Sequence, residues 1–310
     1  MGKIAVIGSN MVDLITYIER LPVQGETLEA PDFALGCGGK GANQAVAAAK
    51  LGSEVLMVTK VGDDLFADNT LANFRRFGID TRHVTRAPGR SSGVAPIFVQ
   101  PDSHNSILIV KGANAALGPA DIQAAEADLR DCALIVLQLE IALETVYAAI
   151  DCGQRLGIPV LLNPAPAVAD LSAAHLARLD YFVPNETELA LVSGLPVADR
   201  DSAFAAARVL AGRGIRHVVV TLGAAGALYV GEEGEFSLPG QRVAALDTTG
   251  AGDAFIGCFA HGRVQGLGLG LREAMQRAVA YSALSVTGRG TQTSYPEAAV
   301  FEDYLASLDL

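Results

Sequence analysis

Positive charge is scarce in this chain: 23 lysines and arginines stand against 34 aspartates and glutamates, for a formal net charge of −11. That deficit argues against nucleic acid or an anionic membrane surface as the main partner, because both require a basic footprint. An anionic substrate must therefore find local positive charge, and Lys40, set in a glycine-rich run, is the obvious source. Cysteine is sparse as well. Cys37, Cys132, Cys152 and Cys258 are scattered, with no C-x-x-C pair and no histidine spacing of the zinc type. This excludes a disulfide scaffold and predicts reduced thiols in a cytoplasmic protein. No apolar stretch reaches the roughly 18 residues of a membrane span, and the β-like run at 3–8 follows no signal-peptide pattern. Internal repeats, low-complexity segments and long linkers are missing too. What is present is apolar: half of the 310 residues are hydrophobic and 18% are charged, enough for one large core with a small appendage.

Short β-rich runs at 3–8, 55–60, 133–139, 158–162, 180–183 and 216–221 alternate with helical patterns at 41–51, 64–76, 119–130, 142–156, 199–213, 251–266 and 270–287. Such alternation predicts an α/β fold with a doubly wound, mostly parallel sheet covered by helices on both faces. Residues 11–36 and 90–111 break the rhythm and read as alternating strands, notably 92–99 and 106–111, joined by polar turns. They predict a small antiparallel β-lid standing off a core made of 1–10, 37–89 and 112–310. A sheet of that kind serves as a cover over a site or as a dimer surface.

The most informative stretch is 247–255, Asp-Thr-Thr-Gly-Ala-Gly-Asp-Ala-Phe. Gly250, Ala251 and Gly252 let backbone amides crowd together where a helix begins, which makes an anion site. Asp253 sets a carboxylate beside it, and an anion cradle next to a base is what phosphoryl transfer requires. A glycine-rich turn capped by an aspartate is the plainer reading. Gly36-Cys-Gly-Gly-Lys-Gly-Ala-Asn43 contains G-x-G-x-x-G, but it arrives some thirty residues after the first strand, so it is no dinucleotide fingerprint. No serine or threonine follows the lysine, so it is no Walker loop either. Its glycines permit close approach of a ligand to the backbone, with Asn43 presenting polar atoms; a tight turn is the alternative. Asp13 and Glu140 both follow strands, where the crevice of an open α/β sheet lies. They are placed to bind sugar hydroxyls, ligate a metal or cap helices. Asn185-Glu-Thr-Glu188 opens a helix, either complementing its dipole or holding the waters of a hydrated Mg²⁺. Thr221-Leu-Gly-Ala-Ala-Gly226 is a glycine turn suited to a nucleotide. Ser285-Val-Thr-Gly-Arg-Gly-Thr-Gln-Thr-Ser294 has the small polar residues that wrap carbonyls around a monovalent cation.

In order and spacing these pieces resemble the ribokinase (PfkB) family of carbohydrate kinases over essentially the whole chain. Gly38-Gly-Lys-Gly-Ala-Asn-Gln-Ala45 is similar to that family's first signature and Asp247-Thr-Thr-Gly-Ala-Gly-Asp253 to its second. Asn163-Pro-Ala-Pro, Pro184-Asn-Glu-Thr-Glu and Thr221-Leu-Gly resemble its intervening motifs. The resemblance implies a ribokinase-like fold and an ATP- and Mg²⁺-dependent kinase for the terminal hydroxyl of a small sugar. By position it implies Asp253 as the base, with the anion hole at Gly250, Ala251 and Gly252. Asp13, Gly39, Lys40, Asn43 and Glu140 would hold or frame the sugar. Asn185 and Glu188 would organise Mg²⁺ and the triphosphate, with Thr221, Gly223 and Gly226 beside the nucleotide. Asp247, Thr249, Ser285, Gly288, Gly290 and Ser294 match positions for an activating potassium ion. A homodimer through the β-lid is implied as well.

One position departs from the family. Its members begin the sugar site with a Gly-Ser-Ile-Asn-Ala-Asp type of sequence, whose asparagine bonds the sugar. Here the stretch is Gly8-Ser-Asn-Met-Val-Asp13, with Met11 in that place. A thioether cannot satisfy a sugar hydroxyl as an amide does, and a buried unpaired hydroxyl costs roughly 1–3 kcal/mol. A methylene packs well there instead. That pattern suits 2-deoxy-D-ribose, with ribose a poorer substrate, and the chain as a whole resembles the deoxyribokinase branch. A ribose-preferring kinase is the alternative, and a non-catalytic sugar-binding regulator is the alternative from a different class.

Overall fold

Alternate residues of the first strand go to opposite sides of a sheet. Ile4 and Val6 join one buried cluster, and Ala5 and Ile7 the other. This is the pattern of a strand buried on both faces, and its neighbours repeat it. A computed structural model describes residues 2–100, 105–264 and 269–308. The expected lid residues 101–104, the expected helix residues 265–266 and core residues 1 and 309–310 lie outside the described residues.

From the N-terminus, β1 (Lys3–Ile7) lies in the main sheet, while β2 (Met11–Tyr17) and β3 (Asp32–Gly38) leave it. Helix α1 (Lys40–Lys50), β4 (Val55–Val61), α2 (Leu65–Arg76) and β5 (Asp80–Arg86) return to it. Strands β6 (Val94–Val99) and β7 (Asn105–Ile107) leave it again. The second half runs through α3 (Pro119–Leu129), β8 (Cys132–Leu137), α4 (Leu143–Leu156), β9 (Val160–Leu162), the short α5 (Ala173–Leu176) and β10 (Tyr181–Phe182). It continues with α6 (Glu186–Ser193), α7 (Arg200–Gly212), β11 (His217–Thr221), β12 (Ala227–Gly231) and β13 (Gly234–Leu238). Helices α8 (Ala251–Val264), α9 (Leu271–Ser285) and α10 (Ala298–Ala306) complete it.

The main sheet has nine strands in the order β13-β12-β11-β10-β9-β8-β1-β4-β5, parallel from β5 through β11 and closed by the antiparallel β12 and β13. Helices α1, α8 and α9 pack on one face, and α3, α4, α6 and α7 on the other. The expected α/β core is thus in place. The order reverses between β1 and β8, which opens a crevice at the ends of those two strands. The edge strand β5, Asp-Thr-Arg-His-Val-Thr-Arg, carries no apolar alternation and gave no strand signal; an edge tolerates such charges.

The second sheet has four strands in the order β3-β2-β6-β7. Its outer pairings, β2–β3 and β6–β7, are antiparallel as expected, while the central pair, β2 with β6, is parallel. That follows from the chain path, because β2 and β6 both leave the core in the same direction. Strand β3 exposes Phe33 and Leu35, and the segment after β7 exposes Leu108 and Ile109.

Candidate active site

Gly257 brings two helices unusually close. A Cβ there would meet Ala47 Cβ at 2.4 Å and the Gln44 carbonyl at 2.8 Å, so α1 and α8 touch nearly backbone to backbone. The contact sets the first turn of α8 against Asn43 and Gln44 of α1. Asp253 Oδ2 accepts from Asn43 Nδ2 at 3.0 Å, and its Oδ1 accepts from Gln44 Nε2 at 2.9 Å. The carboxylate is 6% exposed and fixed by both oxygens, each of which keeps a further lone pair. At the start of α8, Gly250 has φ +77° and its carbonyl takes the first helical bond, from the Ala254 amide at 2.8 Å. The amides of Gly252 and Asp253 therefore precede the ladder, whereas the Ala251 amide, expected in the anion cradle, donates to the Thr248 carbonyl at 3.2 Å.

The crevice between β1 and β8 holds the other carboxylates. Glu140 accepts from the Ser9 hydroxyl and, at 2.9 Å, from the Lys40 amide. Asp13 pairs with Gly36 on β3 and turns its side chain against Gly38, where a Cβ would sit only 2.4 Å from its Oδ2. Burial, reinforced by the Glu140 charge, pushes the Asp13 carboxyl up to about 6. The Asp253 charge, ahead of those of Glu140 and Glu188, raises the Lys40 ammonium above its ordinary value against the opposing effect of burial. Gly39 has φ +89°, and a Cβ there would meet the Met11 amide nitrogen at 2.7 Å, so this position admits glycine alone.

Met11 and Asp13 stand two residues apart on β2 and share a face, while Asn10 points away. The Asn10 amide donates to Thr59 Oγ1 and to the Lys60 carbonyl, both at 2.8 Å. Met11 is 2% exposed, with Asn114 Nδ2 3.7 Å from its sulfur.

A cleft of about 760 Å³ runs from Lys40 and Asp253 past Asn185, Glu188, Thr221, Gly223 and Gly226. Asn43 and Glu140 are tied to its end by their hydrogen bonds to Asp253 and to the Lys40 amide, while Met11 and Asp13 lie outside its lining. Asn185 and Glu188 form a full capping box on α6: Asn185 Oδ1 accepts from the Glu188 amide, and the Glu188 carboxylate accepts from the Asn185 amide, both at 2.9 Å. The acidic first turn of the dipole reading is thus present, and Asn185 and Glu188 also line the cleft. Glu188 is raised above its ordinary value, chiefly by burial, with Lys40 opposing. At the far end, Asp247 accepts from the amides of Gly290 and Thr249, each at 2.9 Å. A Cβ on Gly288 would lie 3.0 Å from Ser294 Cβ and 3.9 Å from the Ser285 carbonyl oxygen. The six residues expected around a monovalent cation are therefore brought together.

Several lining residues carried no expectation. Val243 with Val279, Ala283 and Val286 of the α9 region makes an apolar wall. Its spacing of four and three residues looked like any amphipathic helix. Outside the cleft, the buried amides Gln44, Gln138, Asn114 and Gln292 stand around Asp253, Asn43 and Met11. The available signal was two consecutive amides, Asn43-Gln44, buried in an otherwise Ala- and Val-rich helix.

The family model for pfkB family carbohydrate kinases matches residues 1–298. The chain is 58% identical over 303 residues to the deoxyribokinase of Salmonella typhi, covering 98% of both. It is 38% identical over 297 residues to the ribokinase of Mus musculus, covering 95% of this chain and 92% of that one. The solved structure of Arabidopsis thaliana ribokinase complexed with ribose and ATP superposes with a TM-score of 0.91 at 29% identity, covering 98% of each chain. With both signatures placed around one buried aspartate, the chain belongs to the pfkB family of carbohydrate kinases.

Proposed function

We propose that this chain transfers the γ-phosphoryl group of ATP to the 5-hydroxyl of 2-deoxy-D-ribose, with ribose as a poorer substrate. The observation that carries the sugar assignment is the commitment of Asn10 to Thr59 and Lys60 while Met11 fills the sugar-facing position. No amide takes Met11's place, so a 2-hydroxyl there would go unpaired. The relatives support the reading, since identity to a deoxyribokinase stands well above identity to ribokinases. The ATP assignment is supported by the cleft and by the ribose- and ATP-bound neighbour.

In this reading the sugar lies between Met11, Asp13, Gly39, Asn43 and Glu140, with its terminal hydroxyl at Asp253. Asp253 takes the hydroxyl proton as the oxygen–phosphorus bond forms and the bond to the β-phosphate oxygen breaks, releasing ADP. The Gly250, Gly252 and Asp253 amides stabilise charge on the transferred group, and Lys40 adds a cation to a strongly acidic chain. Asn185 and Glu188, at the start of α6 on the cleft wall, would stand beside an Mg²⁺ held mainly by phosphates and water. Mg²⁺ would neutralise phosphate charge there. One carboxylate with serine, threonine and glycine oxygens around Asp247 fits a potassium ion. Exchange of potassium for an equal concentration of sodium is expected to lower kcat several-fold; equal rates in both salts would contradict that site. Turnover with a panel of pentoses tests the assignment, and tight sugar binding with no ADP formed on any of them would sink it.

Asp13 gives a pH signature. Ionised, it accepts from sugar hydroxyls; protonated, it loses that capacity. Its value of about 6 places the loss just below neutrality. Sugar kcat/KM is therefore expected to fall about tenfold from pH 8 to pH 5 through this group, and Asp13→Asn is expected to remove that limb. A flat profile would exclude Asp13 as an acceptor. We also read the exposed Phe33, Leu35, Leu108 and Ile109 as a dimer surface on the lid. Sedimentation velocity checks this reading, which a monomer at all concentrations contradicts.

A further inference from the structure

Three amide side chains from three separate elements stand in line behind Asp253. Asn73 Nδ2 on α2 donates to Gln292 Oε1 at 2.7 Å. Gln292 Nε2 donates to Asn43 Oδ1 at 3.0 Å, and Asn43 Nδ2 donates to Asp253 Oδ2 at 3.0 Å. A shorter line reaches the other oxygen, with Gln138 Nε2 donating to Gln44 Oε1 at 2.7 Å and Gln44 Nε2 to Asp253 Oδ1 at 2.9 Å. Gln292 is 4% exposed and Asn43 5%, so the middle of the longer line is shielded from water.

The direction of the line is forced. An ionised carboxylate only accepts, so Asn43 must turn its NH₂ toward Asp253 and its oxygen away. That oxygen is buried and needs a donor, which Gln292 supplies, and the Gln292 oxygen in turn receives Asn73. Reversing any one amide would face donor against donor or oxygen against oxygen. The sequence separation between Gln292 and Asn43 is 249 residues, so helix geometry does not produce the contact by itself. Gln292 also sits in the loop that carries Gly290 and Ser294, and the neighbouring Tyr295 donates its hydroxyl to the Gly250 carbonyl at 3.0 Å. The loop gathered around Asp247 therefore touches the anion cradle directly and reaches the base through Asn43.

We propose that Gln292 is a positioning residue for Asp253: through Asn43 it fixes which atoms face the carboxylate and ties its orientation to the loop at 288–295. The inference rests on the reading of Asp253 as the base. Gln292 itself touches no reacting atom. Its contribution is to keep an N–H donor, rather than an amide oxygen, on Asp253 Oδ2, which favours the ionised form that accepts the sugar proton.

The test is steady-state kinetics of the full chain across pH with deoxyribose and ATP. Gln292→Met keeps length and volume but removes both hydrogen-bonding groups. It is expected to lower kcat about tenfold and leave the ATP KM within about twofold. Gln292→Glu distinguishes positioning from packing. Its ionised carboxyl accepts from Asn73 but cannot donate to Asn43, so Asn43 is drawn around and presents its oxygen to Asp253. Its protonated form can donate again. The rate of this variant relative to the original chain is therefore expected to be lowest near pH 8 and to recover as pH falls toward about 6. A merely structural role gives no such recovery. Asp253→Asn in the same assay separates the two layers of the argument. Near-normal turnover there would remove the base and this proposal with it; its loss, together with wild-type kcat in both Gln292 variants, would overturn the relay alone. Should the Gln292 variants fail to accumulate folded, Asn73→Leu at the outer end is expected to lower kcat several-fold, and an unchanged kcat would equally overturn the relay.

Discussion

Asp253→Asn is expected to lower kcat by about 10²–10⁴-fold, the contribution of a positioned general base. An amide cannot accept the hydroxyl proton, so the chemical step loses its proton acceptor while the anion cradle stays. Sugar affinity is expected to change far less, because Asp13 and Glu140 lie in the crevice apart from Asp253. Part of any change in KM would come from a local conflict. Asn43 and Gln44 both present N–H groups to the carboxylate, and an amide offers an oxygen to only one of them. The buried group left without a partner costs about 1–3 kcal/mol of stability, visible as a lower Tm. Rapid-quench measurement of the first turnover isolates the chemical step from product release. A first turnover within a few-fold of the original would show that another group takes the proton.

Met11→Asn is expected to move the ratio of kcat/KM for ribose over deoxyribose upward by about 10- to 100-fold, the scale on which an apolar pocket discriminates against one hydroxyl. Both N–H groups of Asn114 Nδ2, 3.7 Å from the Met11 sulfur, already go to the Asn10 and Lys111 carbonyls, so an amide at position 11 is left to offer its own polar atoms to the sugar. Ribose gains a partner for its 2-hydroxyl. Deoxyribose loses the apolar surface its methylene occupied and leaves an amide unpaired, so the two changes act in the same direction on the ratio. An unaltered ratio, with both sugars still turned over, would show that preference is set elsewhere.

The parts of this molecule that the sequence made legible are those whose signal is local. Ile4 to Ile7 and His217 to Thr221 read as strands because burial on both faces needs an unbroken apolar run. The segment 80–86 did not, because charged side chains at a sheet edge imitate a loop. The hairpin of β12 and β13, with its turn at Glu232 and Glu233, passed unremarked for the opposite reason: it closes a parallel sheet that βα alternation alone would continue. At the site, Asp253 and Asn43 were found through their glycine-rich surroundings. Gln44 and Gln292 were not, since their partners lie 209 and 249 residues away and no pattern in the chain records such a meeting. Asn185 and Glu188 show a different limit. The acidic first turn was legible and present, yet its presence does not tell a helix end from a nucleotide contact when Asn185 and Glu188 also line the cleft.

The same division explains why the reaction was easier to read than the sugar. Phosphoryl transfer depends on an anion cradle and a base carried by consecutive residues, 250–253. Sugar choice depends on where the Asn10 and Met11 side chains point, which adjacent positions on a strand invert. Once Asn10 is seen committed to Thr59 and Lys60, the absence of an amide at Met11 becomes a statement about substrate.

The measurement that tests this account most directly is kcat/KM for 2-deoxy-D-ribose and for D-ribose on the unaltered protein, under one set of conditions with saturating ATP. The account predicts that both are phosphorylated and that deoxyribose is favoured by up to about 10²-fold. A preference for ribose would contradict it and return Met11 to the status of a packing residue.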